Sequence, residues 1–218
     1  MMDIDLTKLY KEEYSVSTSK LILKSNKNFS EKALFIDRDG VLIEDVHHIN
    51  SPDKVFLCSK VKNFLIAAKQ ECYDIVVITN QSSVSRKIIS YDEYINITTK
   101  FLSLLPKDIY PDLILSSFHL PNNENNLRDF NWRKPDTGMI DYAIKLGKYN
   151  RFKSVIVGDK LTDLISGYKS GISNIIYVKS NLHKDQFPIV EKWAMNNKIS
   201  YKQIDILDPT IIKNIEIN

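Results

Sequence analysis

Ala33-Leu34-Phe35-Ile36-Asp37-Arg38-Asp39-Gly40-Val41-Leu42 decides how this chain is read. Four apolar residues run straight into two carboxylates and a glycine. An apolar run without alternation marks a strand buried on both faces, which suits a parallel sheet. Asp37 and Asp39 are two residues apart, so on an extended backbone both side chains leave the same face. Gly40 permits the sharp departure that a strand-end loop requires. Open α/β sheets bind ligands at the carboxyl ends of their strands, which makes this acid pair a candidate site. Taken alone, Asp and Gly describe an ordinary turn equally well.

The chain around it repeats the theme. Residues 74–80 are a β-branched apolar run ending in Thr79 and Asn80, residues 112–117 a third strand, and residues 154–159 a fourth that again ends in a carboxylate, Asp159. Residues 174–178 form a fifth. Between them lie helix patterns. Val61, Phe64, Leu65 and Ala68 make one stripe over residues 61–71. Ser90-Tyr91-Asp92-Glu93 is a capping box that opens a helix running to about Leu105, before Pro106. Asp136 or Thr137 can cap a helix ending at Gly147, a plausible C′ residue. A further helix over 162–170 stops at Gly171. Strands alternating with helices predict an α/β fold with a doubly wound, mostly parallel sheet. Leu21-Ile22-Leu23 reads as an edge strand or part of a hairpin. Residues 43–54 and the Asn-rich stretch 121–131 read as loops. The tail carries a helix through Trp193, an apolar alternation near 201–207 and a short last helix. There are no repeats and no long linker.

The 218 residues suit one domain with decoration better than two. A net charge of +3 is too weak a field to argue for nucleic acid. Cys58 and Cys72 have no metal-type spacing and are expected to be reduced thiols. No apolar run reaches the length of a membrane span, and the first residues lack a signal-peptide pattern. The expected location is the cytoplasm, with no membrane partner.

If the strands lie side by side, one rim gathers Asp37, Asp39 and Asp159, the polar groups of Thr79 and Asn80, and the cations Arg133, Lys134 and Lys160. Crowded carboxylates repel unless a cation sits among them. Mg²⁺ favours a few carboxylates together with waters and phosphate oxygens. The set suits phosphoryl transfer to a carboxylate. Asp37 would attack phosphorus, Asp39 would protonate the leaving oxygen and then deprotonate water, and Lys134 would neutralise developing charge. Asp163 is expected one step behind, holding Lys160 or a metal-bound water.

These residues resemble the four motifs of the haloacid dehalogenase superfamily of phosphohydrolases. Asp37-x-Asp39-Gly40-Val41 is similar to the first and Thr79-Asn80-Gln81-Ser82 to the second. Arg133-Lys134-Pro135 with Gly138-Met139 is similar to the third, and Gly158-Asp159-x-x-x-Asp163 to the fourth. The likeness spans about residues 31–180. It is greatest to the branch of D-glycero-D-manno-heptose 1,7-bisphosphate and histidinol-phosphate phosphatases. The resemblance implies a capless, Rossmann-like, Mg²⁺-dependent phosphatase of a small phosphorylated sugar. It implies catalytic Asp37, Asp39, Thr79 and Lys134, with Mg²⁺ on Asp37, the Asp39 carbonyl and Asp159. Substrate contacts are expected from Arg38, Asp45, His47, His48, Asn80, Gln81, Ser82, Arg133 and Lys160. On this reading residues 1–30 are an N-terminal extension and 31–218 the phosphatase domain, made of a core at 31–180 and an addition at 181–218. The expected state is a monomer or weak homo-oligomer.

The sequence departs from that branch in three places, one of them the N-terminal extension, which is not part of the family core. Many members carry a zinc loop, Cys-x-His … Cys-x-Cys. Here Ser117-Phe118-His119 and Phe130-Asn131-Trp132 stand there, and one imidazole cannot hold zinc, so no structural zinc is expected. Phe130 and Trp132 are expected to pack the loop instead. The glycines usual after Thr-Asn-Gln-Ser are replaced by Ser83-Val84-Ser85-Arg86-Lys87. Two other readings use the same residues: a phosphatase of nucleic-acid ends, and a non-catalytic binding protein that kept the fold.

Overall fold

The computed structural model describes residues 4–15, 19–46, 49–121, 130–180 and 182–215. A helical turn α1 (Leu6–Leu9) leads into a hairpin of β1 (Tyr10–Ser15) and β2 (Lys20–Ser25). Then follow β3 (Lys32–Ile36), α2 (Val61–Gln70), β4 (Tyr73–Asn80), the turn α3 (Ser82–Ser85), α4 (Tyr91–Ser103) and β5 (Leu113–Ser117). The second half is α5 (Gly138–Gly147), β6 (Val155–Gly158), α6 (Leu161–Lys169), β7 (Asn174–Val178), α7 (Gln186–Asn197), β8 (Lys202–Ile204) and α8 (Pro209–Lys213).

All eight strands join one sheet in the order β1-β2-β5-β4-β3-β6-β7-β8. From β5 to β8 every pairing is parallel, while β1–β2 and β2–β5 are antiparallel. Strand β3 is central for a physical reason. Leu34 and Ile36 face the layer of α2, α4 and α8, whereas Ala33 and Phe35 face α5, α6 and α7. A strand apolar on both faces has to lie between two helix layers. Strand order reverses at β3, since β4 lies on one side and β6 on the other. Its carboxyl end is therefore the crevice where such sheets take ligands.

The residues before the expected core are built into the sheet. Lys20 to Lys24 pair residue by residue with Ser117 to Leu113. Leu21 and Leu23 are fully buried. Without this hairpin, β5 would present an open edge of backbone donors and acceptors.

Local signals act mostly as expected. Ser90 accepts from the Glu93 amide at 3.2 Å, and the Glu93 carboxylate accepts from the Ser90 amide at 2.6 Å. The end of α5 differs from expectation. Gly147 is its last helical residue, and Lys148 takes the left-handed conformation, with φ 55°. Gly147 meets a steric demand instead, because a Cβ there would lie 2.5 Å from the Tyr149 ring.

Candidate active site

The loop that leaves β3 is wound tightly over its end. The Arg38 carbonyl accepts from the amides of Leu42 and Ile43 at 2.9 and 3.0 Å, and the Gly40 amide donates to Ile43 at 2.8 Å. Gly40 has φ +91°, and a Cβ on it would come within 2.2 Å of an Asp159 carboxylate oxygen. Glycine here is set by both backbone and space. Its bare face lets the end of β6 bring Asp159 against the first loop.

Lys134 occupies the centre. Its Nζ lies 2.8 Å from Asp37 Oδ1, 2.6 Å from Asp163 Oδ1 and 2.8 Å from the Ile78 carbonyl. The ammonium donates hydrogen bonds to Asp37 and the Ile78 carbonyl and forms an ion pair with Asp163. Asn80 fixes the lysine backbone with two bonds. Its Nδ2 donates to the Lys134 carbonyl at 3.0 Å, and its Oδ1 accepts the Lys134 amide at 3.1 Å. Asp163, expected to hold Lys160 or a water, also pairs with the Lys134 ammonium. Its other oxygen accepts the Lys160 backbone amide at 3.0 Å.

Carboxylate oxygens of Asp37, Asp159 and Asp163 lie within 4.8 Å of one another, all on buried residues. Burial pushes the Asp37 pKa up to about 6 against the pull of Lys134. Burial also drives Asp159 well above the usual carboxylate range, with Lys160 opposing. Lys134 is raised: burial disfavours its charge, but Asp163 and Asp37 more than compensate. Both Asp159 oxygens are buried and accept no hydrogen bond. Such acceptors are costly unless something fills them. A hard cation with oxygen ligands fits this donor set.

Asp39 is engaged elsewhere. Arg38 grips it with two bonds, Nε to Oδ1 at 2.9 Å and Nη2 to Oδ2 at 3.1 Å, and Gln81 Nε2 donates to Oδ2 as well. Gln81 also donates to Thr79 Oγ1 at 2.7 Å. Arg38, expected among the substrate contacts, is only 2% exposed and sits behind Asp39 over the Tyr94 ring. An arginine is read from sequence as a surface group; here its charge is held inside by the neighbouring carboxylate.

Of the remaining expected substrate contacts, Arg133, Lys160, Asp45 and Ser82 are described. Arg133 is half-buried and donates to the His119 carbonyl at 2.9 Å. Its pKa is lowered by burial and by the nearby Arg86 guanidinium. Among the described residues neither arginine meets a carboxylate. Lys160 Nζ lies 3.3 Å from Asp45 and 3.8 Å from Asp159. Asp45 also meets His183 Nε2 at 2.9 Å. Ser82 opens α3 directly after Gln81. His47 and His48 lie outside the described residues. Sequence reading missed Arg86 and His183. The first carried a usable signal, a cation six residues past Asn80, whereas His183 lies 138 positions from Asp45 and carried none.

At the places of the zinc loop, aromatic side chains do the packing. Phe118 is buried against Tyr94, with ring centres 5.2 Å apart, and also touches Tyr91 and Tyr14. Trp132 donates to the Ser116 carbonyl at 3.1 Å and meets Tyr142 edge-on. The Phe130 side chain is not among those described. Phe118→Ala should cost about 3–5 kcal/mol of stability, read by denaturant unfolding. A loss below about 1 kcal/mol would mean that this ring does not anchor the loop.

A family profile described as polynucleotide kinase 3 phosphatase matches residues 32–205. A D-glycero-alpha-D-manno-heptose-1,7-bisphosphate 7-phosphatase of Photorhabdus laumondii is 30% identical over 79% of this chain and 96% of its own. A D-glycero-beta-D-manno-heptose-1,7-bisphosphate 7-phosphatase of Haemophilus influenzae is 32% identical over 68% and 82%. The histidine biosynthesis bifunctional protein HisB of Blochmanniella floridana is 31% identical over 77% of this chain, but over only 46% of its own length. Among solved structures, a D,D-heptose 1,7-bisphosphate phosphatase from B. bronchiseptica, complexed with magnesium and phosphate, shares the fold. Its TM-score is 0.68 at 20% identity, over 84% of this chain and 96% of the other. No helix among the described residues is long and apolar enough to cross a membrane. The profile match over most of the chain and the near full-length relatives make this protein a member of the haloacid dehalogenase-like phosphatases of the polynucleotide kinase 3 phosphatase family, and so a phosphoric monoester hydrolase.

Proposed function

We propose that this chain is an Mg²⁺-dependent phosphatase of a sugar bisphosphate, with Asp37 as the nucleophile. The observation that carries the reading is the Lys134 ammonium seated between Asp37 and Asp163, beside an Asp159 carboxylate whose buried oxygens accept no hydrogen bond. In the first half-reaction an Asp37 oxygen forms a bond to phosphorus. The bond from phosphorus to the sugar oxygen breaks, and Asp39 gives that oxygen its proton. In the second, Asp39 takes a proton from water as the water oxygen bonds to phosphorus. The aspartyl-phosphate bond breaks, restoring the Asp37 carboxylate and releasing phosphate. Lys134 is beside Asp37 to neutralise charge on the phosphoryl oxygens, and Asn80 keeps its backbone in place. Asp37, Asp159 and the Asp39 carbonyl would hold Mg²⁺, which when bound adds further charge neutralisation at the phosphoryl group.

The substrate class draws on the relatives and on Arg133 and Arg86. Two guanidiniums near each other without a described acidic partner suit a second phosphate. The name of the family profile favours a second reading, removal of phosphate from nucleic-acid ends. Both are tested by phosphate release with Mg²⁺ over a panel holding the two heptose 1,7-bisphosphate anomers, histidinol phosphate and a 3′-phosphorylated oligonucleotide. The expected result is a kcat/KM for a heptose bisphosphate at least about a hundredfold above the oligonucleotide. A preference for the oligonucleotide would replace the sugar reading.

A further inference from the structure

Arg38 is a buried guanidinium that turns its Nε and Nη2 donors on its own neighbour, while Nη1 makes no hydrogen bond. It is 2% exposed, with one face over the Tyr94 ring at 5.3 Å, and Tyr94 is tied by its hydroxyl to Ser116 Oγ at 2.6 Å. A substrate outside the protein surface has no route to that side chain. A buried ion pair is by itself weak support for stability, so stability alone is a poor reason for its presence. What the pair does do is fix a direction. Two parallel N–H bonds from a planar guanidinium define the plane of the Asp39 carboxylate. Gln81 adds a third bond on Oδ2 from the other side. Both hydrogens of the Gln81 amide are used, one on Asp39 and one on Thr79 Oγ1, while its backbone amide donates to the Ser117 carbonyl at 2.6 Å. A carboxylate offers about four lone-pair sites. Three are taken, and the Asp39 side chain keeps 19% exposure for one more.

We infer that Arg38 and Gln81 are positioning residues that leave Asp39 one oriented oxygen for exchanging a proton with the leaving group and with water. The inference rests on the role proposed for Asp39. It also separates Gln81 from the residues that would recognise the sugar.

The test compares an alkyl ester, heptose 1,7-bisphosphate, with an aryl ester, p-nitrophenyl phosphate, whose phenolate leaves without needing a proton. Rates of enzyme phosphorylation are measured in single turnovers with Mg²⁺ for wild type, Arg38→Lys, Arg38→Ala and Gln81→Met. Each variant should slow the alkyl ester at least about tenfold more than the aryl ester, a part of the 10²–10⁴ that general acid catalysis supplies. KM should stay within about threefold, and millimolar guanidinium should restore part of the Arg38→Ala rate. Raised KM with unchanged selectivity between the esters would assign these residues to binding and overturn the inference. An equal fall on both esters would assign them to structure and do the same. Gln81→Met removes a donor without opening a core cavity, so the comparison stands even if the Arg38 variants do not fold. Wild type that splits only the aryl ester would sink the sugar assignment alone, with glycerol phosphate then serving as the alkyl ester. Wild type inert to all three would sink the proposed reaction and this inference together.

Discussion

Asp37→Asn should abolish turnover, with a loss in kcat of at least about 10⁴-fold, or roughly 5.5 kcal/mol. The substitution keeps the shape of the side chain and removes the charged oxygen that would bond to phosphorus. Lys134 would keep its bonds to Asp163 and the Ile78 carbonyl, so the centre should stay assembled. The companion variant is Asp39→Asn, which can be phosphorylated by an aryl ester but cannot activate water. It should release about one equivalent of nitrophenolate and then stall. Borohydride reduction of the stalled enzyme should convert residue 37 to homoserine. Turnover persisting in Asp37→Asn, or homoserine at another position, would remove Asp37 as the nucleophile.

Removing divalent cation should be almost as severe. EDTA should stop phosphate release and Mg²⁺ should restore it. Binding at roughly a hundred times Kd should stabilise the fold by about 2.7 kcal/mol, a rise in Tm of roughly 5–10 °C for a chain of this size. Asp159→Asn should lose both effects, because it removes the charge from two buried oxygens that accept no hydrogen bond. The pH dependence has a definite sign. Burial raises Asp37 from 3.8 to about 6 in the folded chain. Above 3.8 the unfolded chain gives up that proton and the folded chain keeps it. The metal-free protein should therefore lose stability from this group as the pH climbs to about 6. Saturating Mg²⁺ should flatten that slope. Activity undiminished in EDTA, or a melting curve blind to Mg²⁺, would remove the cation from the mechanism.

The core of the fold was open to reading because its strands are continuous apolar runs. β3, β4, β5, β6 and β7 are buried on both faces, and their shortness and β-branched residues mark such runs as strands. β1 was closed to reading for the opposite reason. Tyr10-Lys11-Glu12-Glu13-Tyr14-Ser15 is mostly exposed, and only its pairing with β2 makes it a strand. At the candidate site, residue types at strand ends pointed to Asp37 and Asp159, and a cation just before a helix start pointed to Lys134. Partnerships were hidden, since they depend on how strands stack. Asp163 answers to the Lys134 ammonium as well as to the Lys160 backbone amide, and Arg38 turns inward because an acid lies next to it.

The aromatic anchoring of the loop after β5 has a practical consequence. Phe118 and Trp132, at the two ends of that stretch, are held by ring packing and a hydrogen bond that use no thiolate. Oxidants or zinc starvation, which would loosen a cysteine-clamped version, have no cysteine to act on there. A loss caused by a chelator would therefore be sought first at the Asp37, Asp159 and Asp163 carboxylates, not at a thiolate clamp.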